Sequence, residues 1–163
     1  MDGYRSNYTN RLDAKGRVSI PAPFRAVLAR DGFEGLYVHP SIDQEALDCG
    51  GHAILREIDE LLGRLSPYSE ERDLFSTALI GTSEILKVDS EGRVILTESL
   101  KSYAQIGTEV TFVGHGHKFQ LWEPGRFQAH LDEARNRVRE LRKQLSARHA
   151  APDLAPRPHG ARE

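Results

Sequence analysis

Short runs of alternating apolar and polar residues occur in two parts of the chain, in the same order each time. Alternation with a period of two is typical of strands that have one buried face. The pattern predicts four short strands in each part, of which the last two form a hairpin. The predicted strands are Tyr4–Leu12, Val18–Ile20, Leu36–His39 and Ala46–Cys49, followed by Ser83–Val88, Val94–Leu96, Val110–Val113 and Phe119–Trp122.

Apolar residues at helical spacing predict a short helix after the second strand of each part and a longer helix after each hairpin. Pro21 and Pro23 open the first short helix, PFRAVLAR, and Thr97 is a candidate cap for the second, ESLKSYA. The longer helices carry apolar stripes, which are Ile54, Leu55, Ile58, Leu61, Leu62 and Leu65 in one and Phe127, Leu131, Ala134, Val138, Leu141 and Leu145 in the other. The second stripe has the heptad spacing of a helix that packs along another helix, either within the chain or across a subunit interface.

The two parts are copies of each other. RLDAKGRVSI at 11–20 aligns with KVDSEGRVIL at 87–96, an offset of 76 residues. The identical pairs are Asp13/Asp89, Gly16/Gly92, Arg17/Arg93 and Val18/Val94. Similarity continues through the following helix and hairpin, so the pattern indicates an internal duplication.

The duplication predicts the organisation of the chain. Residues 1–66 form a first repeat, 67–82 a connecting helix, 83–146 a second repeat with a C-terminal helix, and 147–163 a disordered tail that is poor in apolar residues. One repeat is too small to cover its own apolar strand faces, whereas two paired repeats bury these faces and cover sheet edges. We therefore expect a mixed α/β, mainly β fold, in which both repeats build one pseudo-symmetric barrel with flanking helices.

Composition and charge place the chain among globular proteins, with 39% hydrophobic and 28% charged residues. Its apolar runs are too short for a membrane span or a signal peptide, and its single cysteine, Cys49, has no internal partner. These features predict a cytoplasmic protein. The net charge is −2, but residues 1–30 carry +4, residues 41–75 carry −6 and residues 124–148 carry +4. The chain can therefore present a basic face to phosphate.

The Asp-x-x-Gly-Arg segment of each copy is the candidate binding loop. Aspartate favours the start of a turn and glycine supplies a positive φ, so the segment predicts a tight turn. Arg17 can donate two hydrogen bonds to a phosphate or to the edge of guanine, and Lys15 can act as a point charge for phosphate. Asp13 can orient Arg17 or cap the turn.

A structural role for the two arginines is the alternative, in which each pairs with the aspartate of its own loop and stabilises the fold. For Arg17, which has Arg11, Lys15 and Arg25 nearby in the sequence, the pattern favours DNA binding. For Arg93 it favours the structural pairing.

The sequence contains no convincing enzyme motif. His115 and His117 in GHGHK could lie on one side of a strand, but the flanking glycines favour a hairpin turn and no nearby cysteine or carboxylate completes a metal site. The serines lack a nucleophile elbow, and there is no glycine-rich phosphate loop. We expect no catalysis, cofactor, metal ion, membrane association or small-molecule substrate.

The chain resembles the MraZ family, a relative of the AbrB-type regulators. The matching segments are DAKGRVSIP, DSEGRVIL, LSPYSEERDLF and TFVGHGHKFQLWEP, in the same order over residues 3–145. The resemblance implies two AbrB-like repeats in a double-split barrel with swapped hairpins, assembly into a ring-like homo-oligomer, and binding to repeated sites in promoter DNA. It also implies regulation of transcription at the nucleoid, usually repression of the protein's own division and cell-wall gene cluster.

The resemblance also identifies the residues expected to bind DNA. They are Asp13, Lys15, Gly16 and Arg17, with their second-copy equivalents Asp89, Gly92 and Arg93. The cations near Arg17 in the sequence, Arg11 and Arg25, are also expected to bind DNA. Two positions depart from the family pattern: Glu91 stands where the first copy has Lys15, and Glu98 stands where many members have proline. Because a carboxylate repels phosphate, we expect the first copy to contact DNA more strongly.

An antitoxin-like or structural protein-interaction module, without a specific DNA operator, is the alternative function. AbrB-like barrels also occur in antitoxins whose tails bind a toxin. The tail of this chain is short and poor in apolar anchors, which favours the regulator.

Overall fold

The computed structural model describes residues 3–154. All eight predicted strands are present, with boundaries shifted by a few residues. The strands are β1 (Asn7–Arg11), β2 (Arg17–Ser19), β3 (Leu36–Pro40), β4 (Leu47–Gly50), β5 (Glu84–Leu86), β6 (Arg93–Ile95), β7 (Glu109–Gly114) and β8 (Phe119–Trp122). The helices are α1 (Ala22–Asp31), α2 (His52–Gly63), α3 (Glu70–Ser76), α4 (Glu98–Ala104) and α5 (Pro124–Leu154), with a π-helical turn at Thr77–Gly81 after α3.

Six strands form one antiparallel sheet in the order β1-β7-β8-β4-β3-β5. Under the repeat, β1 corresponds to β5, β7 to β3 and β8 to β4, so the order reads the same from either end. The first strand of each copy pairs with the hairpin of the other copy. The two repeats therefore exchange their first strands, and neither half of the sheet belongs to one repeat.

The remaining strands, β2 and β6, pair only with each other and form a two-stranded antiparallel ribbon. These pairings do not close the predicted pseudo-symmetric barrel: within residues 3–154, β1 and β5 are open edges of the sheet. The short β1 edge carries mainly polar side chains in the sequence NYTNR, which limits pairing with another sheet. The fold is therefore mixed α/β, with a sheet core and flanking helices.

One apolar core joins the ribbon, one face of the sheet and the helices α1 and α4. Its largest fully buried members are Phe24, Phe112, Phe119, Ile20, Leu36, Leu47, Leu100, Leu121, Val18 and Val38. The rings of Tyr4, Phe24 and Phe119 pack edge-on or tilted at centroid distances of 4.9 to 5.4 Å. Both repeats contribute to this cluster, which explains physically why the duplicated chain folds as one body over residues 3–125.

The other face of β3 and β4 is covered by α2 and the π-helical turn. Ile54, Ile58 and Leu62 on α2 pack with Tyr37 and Leu79, and the Tyr37 hydroxyl donates to the Leu79 carbonyl oxygen at 2.7 Å. Within the segment 67–82, α3 begins after its cap at Ser69, whose hydroxyl accepts the backbone N–H of Arg72. The π-helical turn Thr77–Gly81 follows α3 directly.

A buried polar network lies at the centre of the same face. Asp48 on β4 accepts hydrogen bonds from Gln120 on β8 at 2.7 Å and from Lys118 at 3.2 Å, and its Oδ2 is 3.4 Å from His39 Nε2. Gln120 in turn accepts the indole N–H of Trp122 at 2.9 Å. The network satisfies a carboxylate that is only 6% exposed.

The described residues from 126 onward form a separate unit, which contains most of helix α5. The helix continues to Leu154, so the segment predicted as a disordered tail, 147–163, begins as helix, and residues 155–163 lie outside the described part. Among residues 3–154, no helix is long and apolar enough to cross a membrane.

Candidate nucleic-acid interface

The first Asp-x-x-Gly-Arg loop is a closed turn organised by Asp13. The carboxylate Oδ1 accepts the backbone N–H groups of Lys15 and Arg17 at 2.9 Å each, while Oδ2 accepts Arg17 Nε at 2.6 Å. Gly16 adopts a φ of 79°, in the left-handed region that favours glycine. Asp13 therefore caps the turn and orients Arg17 at the same time, so the two roles considered for it coexist.

The second loop repeats this geometry with one addition. Asp89 accepts the backbone N–H groups of Glu91 and Arg93 at 2.9 Å each and Arg93 Nε at 2.9 Å. In addition, Arg93 Nη2 donates to Glu91 Oε2 at 2.8 Å. Arg93 thus pairs with two carboxylates. Arg17 pairs with Asp13 alone within the described chain.

The ribbon holds the two loops against each other. The backbone N–H of Ile20 donates to the Gly92 carbonyl oxygen at 2.9 Å, and the N–H of Leu96 donates to the Gly16 carbonyl oxygen at 3.1 Å. Each loop is therefore anchored to the strand that leaves the other loop. This reciprocal anchoring joins two segments that are 76 residues apart in sequence into one unit, here called the platform, which consists of both loops and the ribbon.

Two arginines, one serine and one isoleucine form the outer face of the ribbon. Arg17 lies opposite Ile95 and Ser19 lies opposite Arg93, while Val18 and Val94 face the core. Side chains alternate between the two faces of a strand, so the neighbours of the buried valines point away from the core. Ser19 and Ile95 were not among the predicted site residues, although the alternation around the valines could have identified them.

Arg25 lies at the second loop. Its side chain lies over Gly92, where it leaves no room for a Cβ, and its Nη1 donates to the Ile20 carbonyl oxygen. The sequence prediction grouped Arg25 with the first loop. The exchange of strands between repeats instead places helix α1 beside the loop of the other copy.

Helix α4 lies beside the first loop by the same exchange. Glu98 and Lys101 line one cleft with Asp13, Lys15 and Gly16, and Lys101 Nζ lies 3.2 Å from Glu98 Oε2. The sequence prediction grouped Glu98 with the second motif, which is wrong in three dimensions because α4 crosses to the first loop.

Both loop aspartates are held in the ionised form. The pKa of Asp13 is lowered, first by the backbone hydrogen bond from Arg17 and then by the Arg17 side chain; the pKa of Asp89 is lowered in the same way by Arg93. The pKa of Arg93 is raised, chiefly by its hydrogen bond to Asp89. At neutral pH the titratable residues of the first loop, Asp13, Lys15 and Arg17, sum to +1. Those of the second, Asp89, Glu91 and Arg93, sum to −1.

Arg11 lies at the end of β1, exposed and opposite Glu109 of β7. Its strand is tied to the ribbon because the side-chain amide of Asn10 donates to the Ser19 carbonyl oxygen at 2.7 Å. Arg11 is therefore next to the ribbon but outside its outer face.

The histidines of the second hairpin lie elsewhere. The backbone N–H of His115 donates to the Lys118 carbonyl oxygen at 2.9 Å, which closes the predicted turn. His117 Nε2 lies 2.5 Å from Glu57 Oε2 on α2. Within residues 3–154, no group of three or more histidine, cysteine, aspartate or glutamate side chains is placed to hold a metal ion.

Comparison with known proteins identifies the family to which the chain belongs. The family model described as "MraZ protein, putative antitoxin-like" matches residues 79–148. Proteins named transcriptional regulator MraZ from Methylocella silvestris and Beijerinckia indica are 86% and 81% identical, over the whole length of both chains in each case. The protein of that name from Azorhizobium caulinodans is 58% identical over 90% of this chain and 94% of its own. The chain belongs to the MraZ family, whose relatives named here are transcriptional regulators.

Proposed function

We propose that this chain is a sequence-specific DNA-binding regulator of transcription that reads DNA through the outer face of the β2–β6 ribbon. The observation that carries the proposal is the position of Arg17, on an outward face, beside exposed Lys15, and with Asp13 as its single ion-pair partner in residues 3–154. A two-stranded ribbon fits the major groove of B-DNA, and Asp13 binds Arg17 through its Nε, so that donation to a base falls to the terminal nitrogens. The guanidinium then donates to the O6 and N7 atoms of guanine.

The two loops have unequal roles in this proposal. Lys15 adds a cation that meets phosphate, whereas Glu91 at the equivalent position neutralises Arg93 and repels phosphate. Arg25 packs on Gly92 and supports the second loop from behind. We therefore assign base reading to Arg17, phosphate contact to Lys15, positioning to Asp13 and Gly16, and a supporting role to Gly92, Arg93, Arg25 and Arg11.

Association of several chains would supply the affinity that one small loop lacks. A ring-like homo-oligomer presents one ribbon per chain, and repeated promoter sites at matching spacing bind it with a high effective concentration. Under this proposal the ribbon and sheet together form the double-split barrel of an AbrB-like pair. The regulated DNA is the promoter of the chain's own division and cell-wall gene cluster, and the effect is repression at the nucleoid.

The test is fluorescence anisotropy with labelled DNA from upstream of the chain's own gene, compared with scrambled DNA over a salt series. We expect the wild type to prefer the native DNA and Arg17→Ala to lose that preference while its melting temperature is retained. Arg93→Ala is the matched control, since it removes the same side chain from the loop that carries Glu91. Equal, weak binding of both DNAs by all three proteins would overturn the proposal.

An antitoxin-like protein-interaction module is the second candidate, favoured by the description "putative antitoxin-like" of the family model that matches residues 79–148. In that case a stable small partner would co-purify in stoichiometric amount, and its binding would be insensitive to Arg17→Ala. Purification of the untagged partner complex from the native host, followed by mass determination, distinguishes the two candidates.

A further inference from the structure

Helix α5 carries an apolar surface that is exposed in the described chain. This surface, here called the α5 seam, consists of Val138, Leu141 and Leu145, which are 59%, 50% and 49% exposed. The three residues follow the spacing of alternate a and d positions in a heptad repeat. Large apolar side chains aligned along one side of a helix and left in water indicate a surface that packs against another element.

The charges beside the seam oppose pairing of α5 with a second α5. If Val138 and Leu145 occupy a positions and Leu141 a d position, the flanking e and g positions are 135, 137, 142 and 144. They hold three arginines and one glutamine. Parallel seams would place Arg137 of one copy beside Arg142 of the other, and like charges at such positions select against a pairing. The seam therefore requires a partner surface that is acidic at its borders.

The acidic residues of α5 do not change this conclusion. Asp132, Glu133 and Glu140 lie at b and c positions, away from the seam. Glu133 Oε1 lies 3.7 Å from Arg137 Nη1, but both side chains are largely exposed, so this pair contributes little. The borders of the seam remain basic.

A surface of the opposite character lies along helix α3 and the residues just before it. Tyr68, Leu74 and Phe75 are 99%, 62% and 36% exposed. The first turn of α3 carries the exposed acids Glu70, Glu71 and Asp73. This combination, here called the α3 surface, provides apolar side chains next to three carboxylates, which complement the α5 seam in both charge and hydrophobicity.

We propose that the α5 seam of one copy packs against the α3 surface of a second copy of this chain. The interface is heterologous, because two different surfaces meet, so each copy offers one of each and the contact can repeat from copy to copy, as the proposed ring requires. The inference rests on the self-association proposed above and specifies its surfaces; it is independent of DNA binding.

Sedimentation velocity of the full chain over a concentration series tests the interface. The seam variant Arg137→Glu/Arg142→Glu should raise the concentration needed for assembly by about tenfold or more, since like charges then face Glu70 and Glu71. The matched control is Arg139→Glu/Lys143→Glu, which makes the same change in net charge at the outer b and f positions of the same helix. The control should assemble like the wild type, and circular dichroism should show equal helix content in both variants.

Two further variants make the partner specific. Adding Glu70→Lys/Glu71→Lys to the seam variant should restore assembly. Every interface then has acidic residues on α5 facing basic residues on α3. Arg142→Glu alone should weaken assembly, whereas α5–α5 pairing in parallel would be strengthened by the new contact with Arg137. Strengthening, failed restoration, or equal effects of seam and control variants would overturn the interface. A monomeric wild type at tens of micromolar would overturn the proposed self-association itself.

Discussion

Val18 and Val94 lie directly opposite each other in the ribbon, and each is 1% exposed. They are equivalent positions of the two repeats, so the pseudo-twofold relation between the copies passes between them. Their burial turns the neighbouring Arg17 and Arg93 outward at equivalent positions of the platform. The small apolar contact between the valines therefore determines where the candidate DNA-binding side chains are presented.

The first prediction concerns this contact. Val18→Ala and Val94→Ala should each lower the free energy of unfolding by about 1.5–3 kcal/mol, because each removes two buried methyl groups. Urea denaturation measures the loss. The two changes should not add in the double variant, since the residues are in contact. A loss at one valine and none at the other would contradict the pseudo-symmetric role.

The second prediction separates the two loop glycines. Gly92→Ala should destabilise the protein more than Gly16→Ala, although both residues have positive φ values, 78° and 79°. At Gly92 the new Cβ meets the Arg25 side chain, which would have to leave the Ile20 carbonyl oxygen, whereas at Gly16 the nearest atom is 3.7 Å away. The positive φ alone costs roughly 1–2 kcal/mol, and thermal unfolding should show the difference. Equal losses of stability would show that the Arg25 side chain moves away from Gly92 without destabilising the protein.

The third prediction reverses the charge of the second loop. Glu91→Lys changes the sum over Asp89, residue 91 and Arg93 from −1 to +1 and releases Arg93 from its second carboxylate. DNA affinity should increase, and the salt dependence of binding should steepen by about one unit of slope for one new phosphate contact. Anisotropy titrations at several salt concentrations measure both quantities. Glu60→Lys on the exposed part of α2 is the control for net charge, and an equal gain there would attribute the effect to bulk charge.

The fourth prediction concerns acid stability. Burial alone would raise the pKa of Asp48, but the hydrogen bond that His39 donates to it, the charge of Lys118 and the hydrogen bond from Gln120 together lower this pKa from the ordinary 3.8. A carboxyl with a lowered pKa in the folded state stabilises the protein above its unfolded pKa, and this contribution is lost as the pH falls through the folded value.

Asp48→Asn should therefore destabilise the protein at pH 7 by roughly 2–4 kcal/mol, since Lys118 loses its buried partner. The variant should also lose less of its remaining stability than the wild type does on acidification below pH 4. Denaturant melts at pH 7 and at pH 3 give both values. Parallel pH profiles for wild type and variant would contradict the assignment, because the acid dependence would then come from groups other than Asp48.

The local features of the site could be predicted from the sequence. The turn in each Asp-x-x-Gly-Arg segment depends on contacts within five residues, and the predicted roles of Asp13 as cap and as partner of Arg17 are both present. The strand and helix assignments also followed from local periodicity, and the family resemblance is confirmed by the full-length relatives. The residues of the predicted apolar stripe lie on one continuous helix, α5. The prediction did not include the basic residues at the e and g positions beside the stripe.

Only the tertiary structure shows that each Asp-x-x-Gly-Arg loop lies beside the helix that follows the loop of the other copy. Strand exchange places Arg25 at Gly92 and Glu98 beside Lys15, both across the repeat boundary. The strand pairings themselves form an open sheet and a separate ribbon. A duplicated sequence is compatible with strand pairing either within or between its copies, because each copy offers the same apolar faces and edges. The choice between these pairings depends on burial of the shared core around Phe24, Phe112 and Phe119, whose members are far apart in the chain, so no local pattern can report it.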